Sequence, residues 1–181
     1  LRDAVRYFSS WDYARRWARL AHEGNPKMRV YLYETWHNID EGDEDWLKRV
    51  DRDLGELWEG EILRKAVDPK SRVTIYLVPV GQVLARLGRE IESGDGFSGL
   101  KRREDLFSDT IHFYDIGAYV VALTHYAVLY QRSPVGLPHQ LRRANGEPAV
   151  APNEEDARRI QELVWEVITS LPRTGVPQDS V

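Results

Sequence analysis

The spacing of apolar residues along the chain predicts a largely helical protein. Apolar side chains recur every three or four positions over residues 11–22, 45–66 and 153–171, which is the period of a helix that buries one face. A shorter pattern of the same kind covers residues 82–91. Residues 115–130 are apolar on nearly every side, so we expect this helix to be packed deep in the core.

The helix predicted over residues 11–22 has two faces of different chemistry. Its large apolar side chains fall on one side, and they are Tyr13, Trp17 and Leu20. Its arginines fall largely on the other side, and they are Arg15, Arg16 and Arg19. This pattern predicts that the aromatic side faces the protein interior and the arginine side faces water.

Two segments are rich in branched and aromatic residues and are predicted to be strands. They cover residues 28–33 and 73–80. A helix pattern separates them, as the crossover between parallel neighbours requires, so we predict an α/β fold with a parallel sheet. Because sheets usually have about four to six strands, two strands predict that the chain is part of an α/β domain. We expect one α/β domain over residues 1–172 and a frayed tail over residues 173–181.

Composition and charge exclude several classes of protein. The 181 residues are 42% hydrophobic and 30% charged, a balance typical of a globular domain. With 25 Lys and Arg against 29 Asp and Glu, and without a basic cluster, the chain is not expected to bind nucleic acid. Its apolar stretches are shorter than the roughly 18 residues of a membrane span. The lack of cysteine excludes disulfides and thiolate zinc sites, but leaves periplasmic, secreted and cytoplasmic locations open.

The most informative residues for function are Asp109 and His112, which lie in a loop just before the helix predicted over 115–130. An aspartate three residues before a histidine is placed to orient the imidazole and to stabilise it when it takes a proton. The alternative is that Asp109 caps local backbone and His112 packs at the entry of the helix. The spacing alone is compatible with both interpretations.

A second group of polar and aromatic residues follows the first predicted strand. Glu34, Trp36 and His37 leave its carboxyl end, which is the edge where ligands bind in open α/β sheets. These three residues are therefore our candidates for substrate binding. The alternative is a solvated loop that Trp36 anchors. Glu34, His37, Asp109 and His112 are residue types that suit zinc or iron, but no two of them have the i, i+4 spacing that would fix a metal on a helix, and we predict no metal.

The segment from Ser108 to Tyr130 resembles the last conserved block of the SGNH or GDSL hydrolases, in which an Asp-x-x-His pair precedes the final core helix. The order strand, helix, strand, helix upstream extends this resemblance over most of residues 11–130. The resemblance implies a three-layer α/β/α flavodoxin-like fold. It also implies hydrolysis of acyl esters or carbohydrate acetyl esters by a Ser-His-Asp triad without a cofactor. In that triad His112 would be the general base and Asp109 its orienting carboxylate.

The chain departs from this family in its nucleophile. The Gly-Asp-Ser block that supplies the family's serine is not recognisable here. The resemblance therefore implies a C-terminal portion whose serine lies upstream of Leu1. The expected partners are a small-molecule or carbohydrate ester, and either the missing N-terminal segment or a second copy of the chain. The rival hypothesis is a non-catalytic α/β binding or assembly module that retains the scaffold.

Overall fold

The computed structural model describes residues 2–40, 45–67, 73–94 and 97–177. Within these residues the chain is helix-rich, 57% helical, with a small parallel sheet of two strands. The strands are β1 (Val30–Glu34) and β2 (Ile75–Pro79). The α-helices are α1 (Arg2–Tyr7), α2 (Ser10–Gly24), α3 (Trp46–Asp53), α4 (Arg64–Ala66), α5 (Val80–Glu92), α6 (Asp115–Tyr130) and α7 (Glu154–Ser170). The other helical segments are the π-helix Leu54–Leu63, which joins α3 to α4, and the 3-10 helices Arg103–Leu106 and Pro172–Thr174.

The predicted α/β class with a parallel sheet is confirmed. β1 pairs with β2 from Val30 opposite Ile75 to Glu34 opposite Pro79, so both strands end at the same edge of the sheet. Pro79 occupies the last position of β2, where its missing N–H removes no bond from the interior of the ladder. Helix α5 begins directly after it, which places Glu34 beside the first turn of α5.

The main core forms where α5, α6 and α7 pack against one another and against β2. Its most buried side chains include Val83, Leu84, Val120, Ile160 and Val164. Burial of a side chain of this size contributes about 1.5–3 kcal/mol, so the cluster holds the three helices in a fixed relation. Leu106 and Phe107 belong to the same cluster, and they support the turn that carries Asp109 and His112.

The prediction about the faces of α2 is wrong. The exposed side chains of this helix include Tyr13, Trp17 and Leu20, and Trp17 is 67% exposed. The buried residue is Ala18, which packs in a small cluster that includes Ala66 of α4. Nε of Arg15 also donates to the carbonyl of Ala66 at 3.2 Å. Because a small side chain lets two helices approach closely, alanine and not the aromatic residues faces inward here.

Helix α6 is buried on one face, whereas the sequence predicts a helix packed deep in the core. Val120, Leu123 and Ala127 lie on the buried face. Leu129 and Tyr130 are exposed, the second to 67%. The helix packs on α5 and α7 along one side, and the described elements leave the exposed residues open to solvent. The apolar pattern therefore predicted the helix correctly but overestimated its burial.

The chain after α7 was predicted to fray from residue 173, and the structure describes the first part of that tail. Pro172–Thr174 forms a 3-10 helix, and Thr174 and Val176 are buried. The hydroxyl of Thr174 donates to the carbonyls of Ile168 and Leu171 at 3.0 and 2.8 Å, which attaches the tail to the end of α7. The packed part of the chain therefore continues to Val176. Residues 178–181 lie outside the described residues.

Asp45 caps the N-terminus of α3, and its removal has a measurable cost. Its Oδ1 accepts the backbone N–H groups of Leu47 and Lys48 at 3.1 and 3.2 Å. We expect Asp45→Ala to lower the free energy of unfolding by about 1 kcal/mol, measured by urea denaturation. Asp45→Asn is the matched control, because it loses the ion pair to Arg103 but keeps a side chain that caps equally well. An equal loss in both variants would assign the effect to the ion pair instead of the cap.

Candidate active site

A turn before α6 carries the Asp-x-x-His pair. Oδ1 of Asp109 accepts the backbone N–H groups of Ile111 and His112 at 2.8 and 2.7 Å. Oδ2 of Asp109 lies 2.8 Å from Nδ1 of His112. One carboxylate thus holds the backbone of the turn and the imidazole ring together. Asp109 therefore caps the local backbone and orients the imidazole ring at the same time. The sequence left these two roles as alternatives.

These hydrogen bonds fix the charge of Asp109 and the tautomer of His112. The backbone N–H groups of His112 and Ile111, and then the ring of His112, lower the pKa of Asp109 to about 2. An ionised carboxylate is an acceptor only, so the proton shared with Oδ2 belongs to Nδ1 of His112. In the neutral ring, Nε2 is then an acceptor. The side chain of His112 is 77% exposed, and no described residue makes a hydrogen bond with Nε2.

Short contacts within the turn hold it in place. Phe107 and Phe113 form an antiparallel bridge, and their ring centroids lie 4.8 Å apart. The backbone N–H of Ser108 donates to the carbonyl of His112 at 2.8 Å. The hydroxyl of Ser108 donates to the same carbonyl at 3.2 Å and is therefore not bound to the ring. In the described part of the chain, no serine makes a hydrogen bond with the imidazole of His112.

Glu34 ends β1 as a fully buried acid. Its side chain is 0% exposed, and its Oε1 accepts the amide N–H of Gln82 at 2.8 Å. Among the described residues, no hydrogen-bond partner reaches its Oε2. Burial raises the pKa of Glu34 to about 8; hydrogen bonds from Gln82 oppose this rise, and the charges of Asp51 and Glu59 add to it. Glu34 therefore carries a proton at neutral pH.

His37 is buried as a neutral ring between two charged side chains of α3. Its Nε2 lies 2.6 Å from Oδ2 of Asp53, and its Nδ1 lies 2.9 Å from Nη2 of Arg49. Since a guanidinium only donates, Nδ1 is an acceptor and Nε2 carries the proton that Asp53 accepts. Burial lowers the pKa of His37; the hydrogen bond to Asp53 opposes this, and the charge of Arg49 adds to it. These contacts attach the loop after β1 to α3.

Trp36 joins the loop after β1 to the turn that carries His112. Its indole N–H donates to the carbonyl of Ile111 at 2.9 Å. Its ring centroid lies 4.5 Å from that of Phe113. The backbone N–H of Ile39 also donates to the carbonyl of Thr110, at 2.8 Å. The two groups of candidate residues, 34–37 and 109–112, are therefore neighbours at one edge of the sheet, although Glu34 and His37 are buried and His112 is exposed.

The sequence reasoning missed Arg49 and Asp53 as partners of His37. A signal for Asp53 was present, because it stands at a position of the apolar stripe of its helix, between Val50 and Leu57. A charged residue on an otherwise buried stripe needs a partner, since burial of an unpaired charge is costly. The local pattern of residues does not indicate that this partner is His37. Contact with a substrate through Glu34, Trp36 and His37 stays a prediction.

Comparisons with family models, with curated proteins and with solved structures find no match to this chain. Within the described ranges, no group of three or more His, Asp or Glu side chains is placed to hold a metal ion. None of the helices in these ranges has the length and apolar content needed to cross a membrane. Function is therefore inferred from the geometry of the site itself.

Proposed function

We propose that this chain carries the histidine and the aspartate of an SGNH-type serine ester hydrolase. His112 is the general base and Asp109 is its orienting carboxylate. The observation that carries the proposal is the exposed ring of His112, whose Nδ1 is bound to an ionised Asp109 while its Nε2 makes no hydrogen bond with a described residue. A neutral imidazole held in this tautomer is ready to take a proton from a hydroxyl group at Nε2.

In the proposed reaction, a serine hydroxyl attacks the carbonyl carbon of the ester and gives its proton to Nε2 of His112. The tetrahedral intermediate then expels the alcohol, and His112 returns the proton to the alcohol oxygen as the C–O bond breaks. A water molecule releases the acyl group from the serine by the same two proton transfers. Asp109 stabilises the imidazolium in each half of the reaction through the bond to Nδ1.

The proposal assigns the nucleophile to a serine on the N-terminal side of Leu1. Ser108 is the serine nearest to His112 in sequence, and its hydroxyl is bound to a backbone carbonyl. Under this proposal β1 and β2 are the fourth and fifth strands of a three-layer α/β/α flavodoxin-like domain. β1 is less buried than β2, which supports a further strand next to β1 in the proposed domain.

The proposed substrates are acyl esters or carbohydrate acetyl esters. Trp36 is half-buried, so part of its ring is open to a bound molecule at the edge of the sheet. Glu34 and His37, which flank it along the chain, are buried. In the proposed site they hold the loop after β1 in place, Glu34 through its hydrogen bond with Gln82 and His37 through its hydrogen bond with Asp53.

The proposal is tested by labelling the protein, in the form that its natural source makes, with a fluorophosphonate that reacts with activated serine hydroxyls. We expect one labelled serine, hydrolysis of p-nitrophenyl acetate, and loss of both after the label has reacted. Peptide mapping and the intact mass then show whether that serine lies upstream of Leu1. Absence of both labelling and turnover over a series of acyl lengths would contradict the proposal and favour the non-catalytic binding module.

A further inference from the structure

Trp36 contacts the turn of His112 at the peptide unit that immediately precedes this residue. The carbonyl of Ile111 and the N–H of His112 belong to the same peptide group. The indole of Trp36 donates to that carbonyl at 2.9 Å, and Asp109 accepts that N–H at 2.7 Å. Because a peptide group is planar, holding both of its ends fixes the orientation of the whole plane. These two bonds therefore hold the backbone from which the side chain of His112 projects.

The indole ring also holds the other side of His112. Phe113 follows His112 in sequence, and its ring lies 4.5 Å from that of Trp36. Phe113 is in turn packed on Phe107 at 4.8 Å. His112 is therefore held between two residues that Trp36 contacts directly, one by a hydrogen bond and one by a contact between rings.

Trp36 is itself anchored by the residue that follows it. His37 is bound to Asp53 at 2.6 Å, and its carbonyl accepts the indole N–H of Trp46 at 2.9 Å. Both partners belong to α3, which packs on α5. The support of the turn thus runs from a packed helix through His37 to Trp36 and then to the backbone before His112.

We propose that Trp36 is a positioning residue for His112, which acts through the Ile111–His112 peptide group. This inference rests on the proposed function for its catalytic consequence. The claim that Trp36 holds the turn in place depends only on the contacts of Trp36. General base catalysis depends on a short and aligned contact with the hydroxyl, so a loosened turn lowers the rate of the chemical step.

The variant Trp36→Phe removes the indole N–H and keeps an aromatic ring next to Phe113. We expect amide hydrogen exchange at His112 to accelerate by roughly fivefold to tenfold, as the loss of one hydrogen bond predicts. In the natural enzyme we expect kcat to fall by roughly tenfold with KM unchanged. Trp58→Phe is the matched control, because Trp58 packs in a separate cluster that includes Leu57 and Ile62. In this control, exchange at His112 and kcat should both stay at the wild-type values.

The outcomes separate this inference from the proposed function. Unchanged exchange at His112 in Trp36→Phe, or an acceleration over the whole chain that Trp58→Phe shares, would overturn the positioning role. A raised KM with an unchanged kcat would also overturn it, since the indole N–H of Trp36 would then affect substrate binding alone and not the position of His112. A wild-type protein without ester turnover would overturn the proposed function instead, while the exchange rates would still decide whether Trp36 holds the turn.

Discussion

His112→Ala is expected to lower ester turnover by roughly a thousandfold or more, as removal of a triad histidine does. The physical reason is that Nε2 of His112 is the group that takes and returns the proton in the proposed reaction. The side chain is 77% exposed, so its removal should change the free energy of unfolding by less than about 0.5 kcal/mol. The measurements are kcat/KM for p-nitrophenyl acetate and a urea denaturation curve of the same preparation.

The control for this experiment is His139→Ala, which removes a histidine from the segment that follows α6. It should retain wild-type turnover. Asp109→Asn should lower turnover in the same direction as His112→Ala, because an amide can donate to Nδ1 and thereby favour the wrong tautomer. Full activity of His112→Ala would remove this residue from the mechanism, whatever the behaviour of the other two variants.

Glu34→Gln is expected to remove a large pH dependence of stability. Since the native state raises the pKa of Glu34 from the ordinary 4.5 to about 8, it binds this proton more tightly than the unfolded chain does. The stabilisation of the native state by the proton on Glu34 is therefore fully present below pH 4.5 and is lost as the pH rises to about 8. Over that window the wild type should lose on the order of 4 kcal/mol of unfolding free energy from Glu34 alone.

A glutamine at position 34 has the shape of the protonated acid and does not ionise. We therefore expect Glu34→Gln to match the wild type near pH 4.5 and to be more stable at pH 8, measured by urea denaturation at several pH values. Glu23→Gln is the matched control, because it makes the same substitution at an exposed side chain and reports any general effect of replacing a glutamate with glutamine. If the difference between Glu34→Gln and the wild type did not grow with pH, the buried acid would have to be ionised in the native state.

Features that depend on contacts between near neighbours could be predicted from the order of the residues. The period of apolar residues predicted the helices and strands, because hydrogen bonds within a helix and alternation along a strand are local. The Asp109–His112 contact could be predicted for the same reason, since its partners are three residues apart and share one turn. The burial of β2 followed from an apolar residue at almost every position.

The tertiary structure alone decided which faces are covered and which distant groups meet. The pattern of α2 showed that Tyr13, Trp17 and Leu20 share a side, but a period does not show what packs against it. The indole of Trp36 meets a carbonyl 75 positions away, and His37 meets Asp53 across 16 positions. The pKa of Glu34 likewise depends on its burial beside Gln82. These properties arise from chain packing over long separations, which a local pattern of residues does not encode.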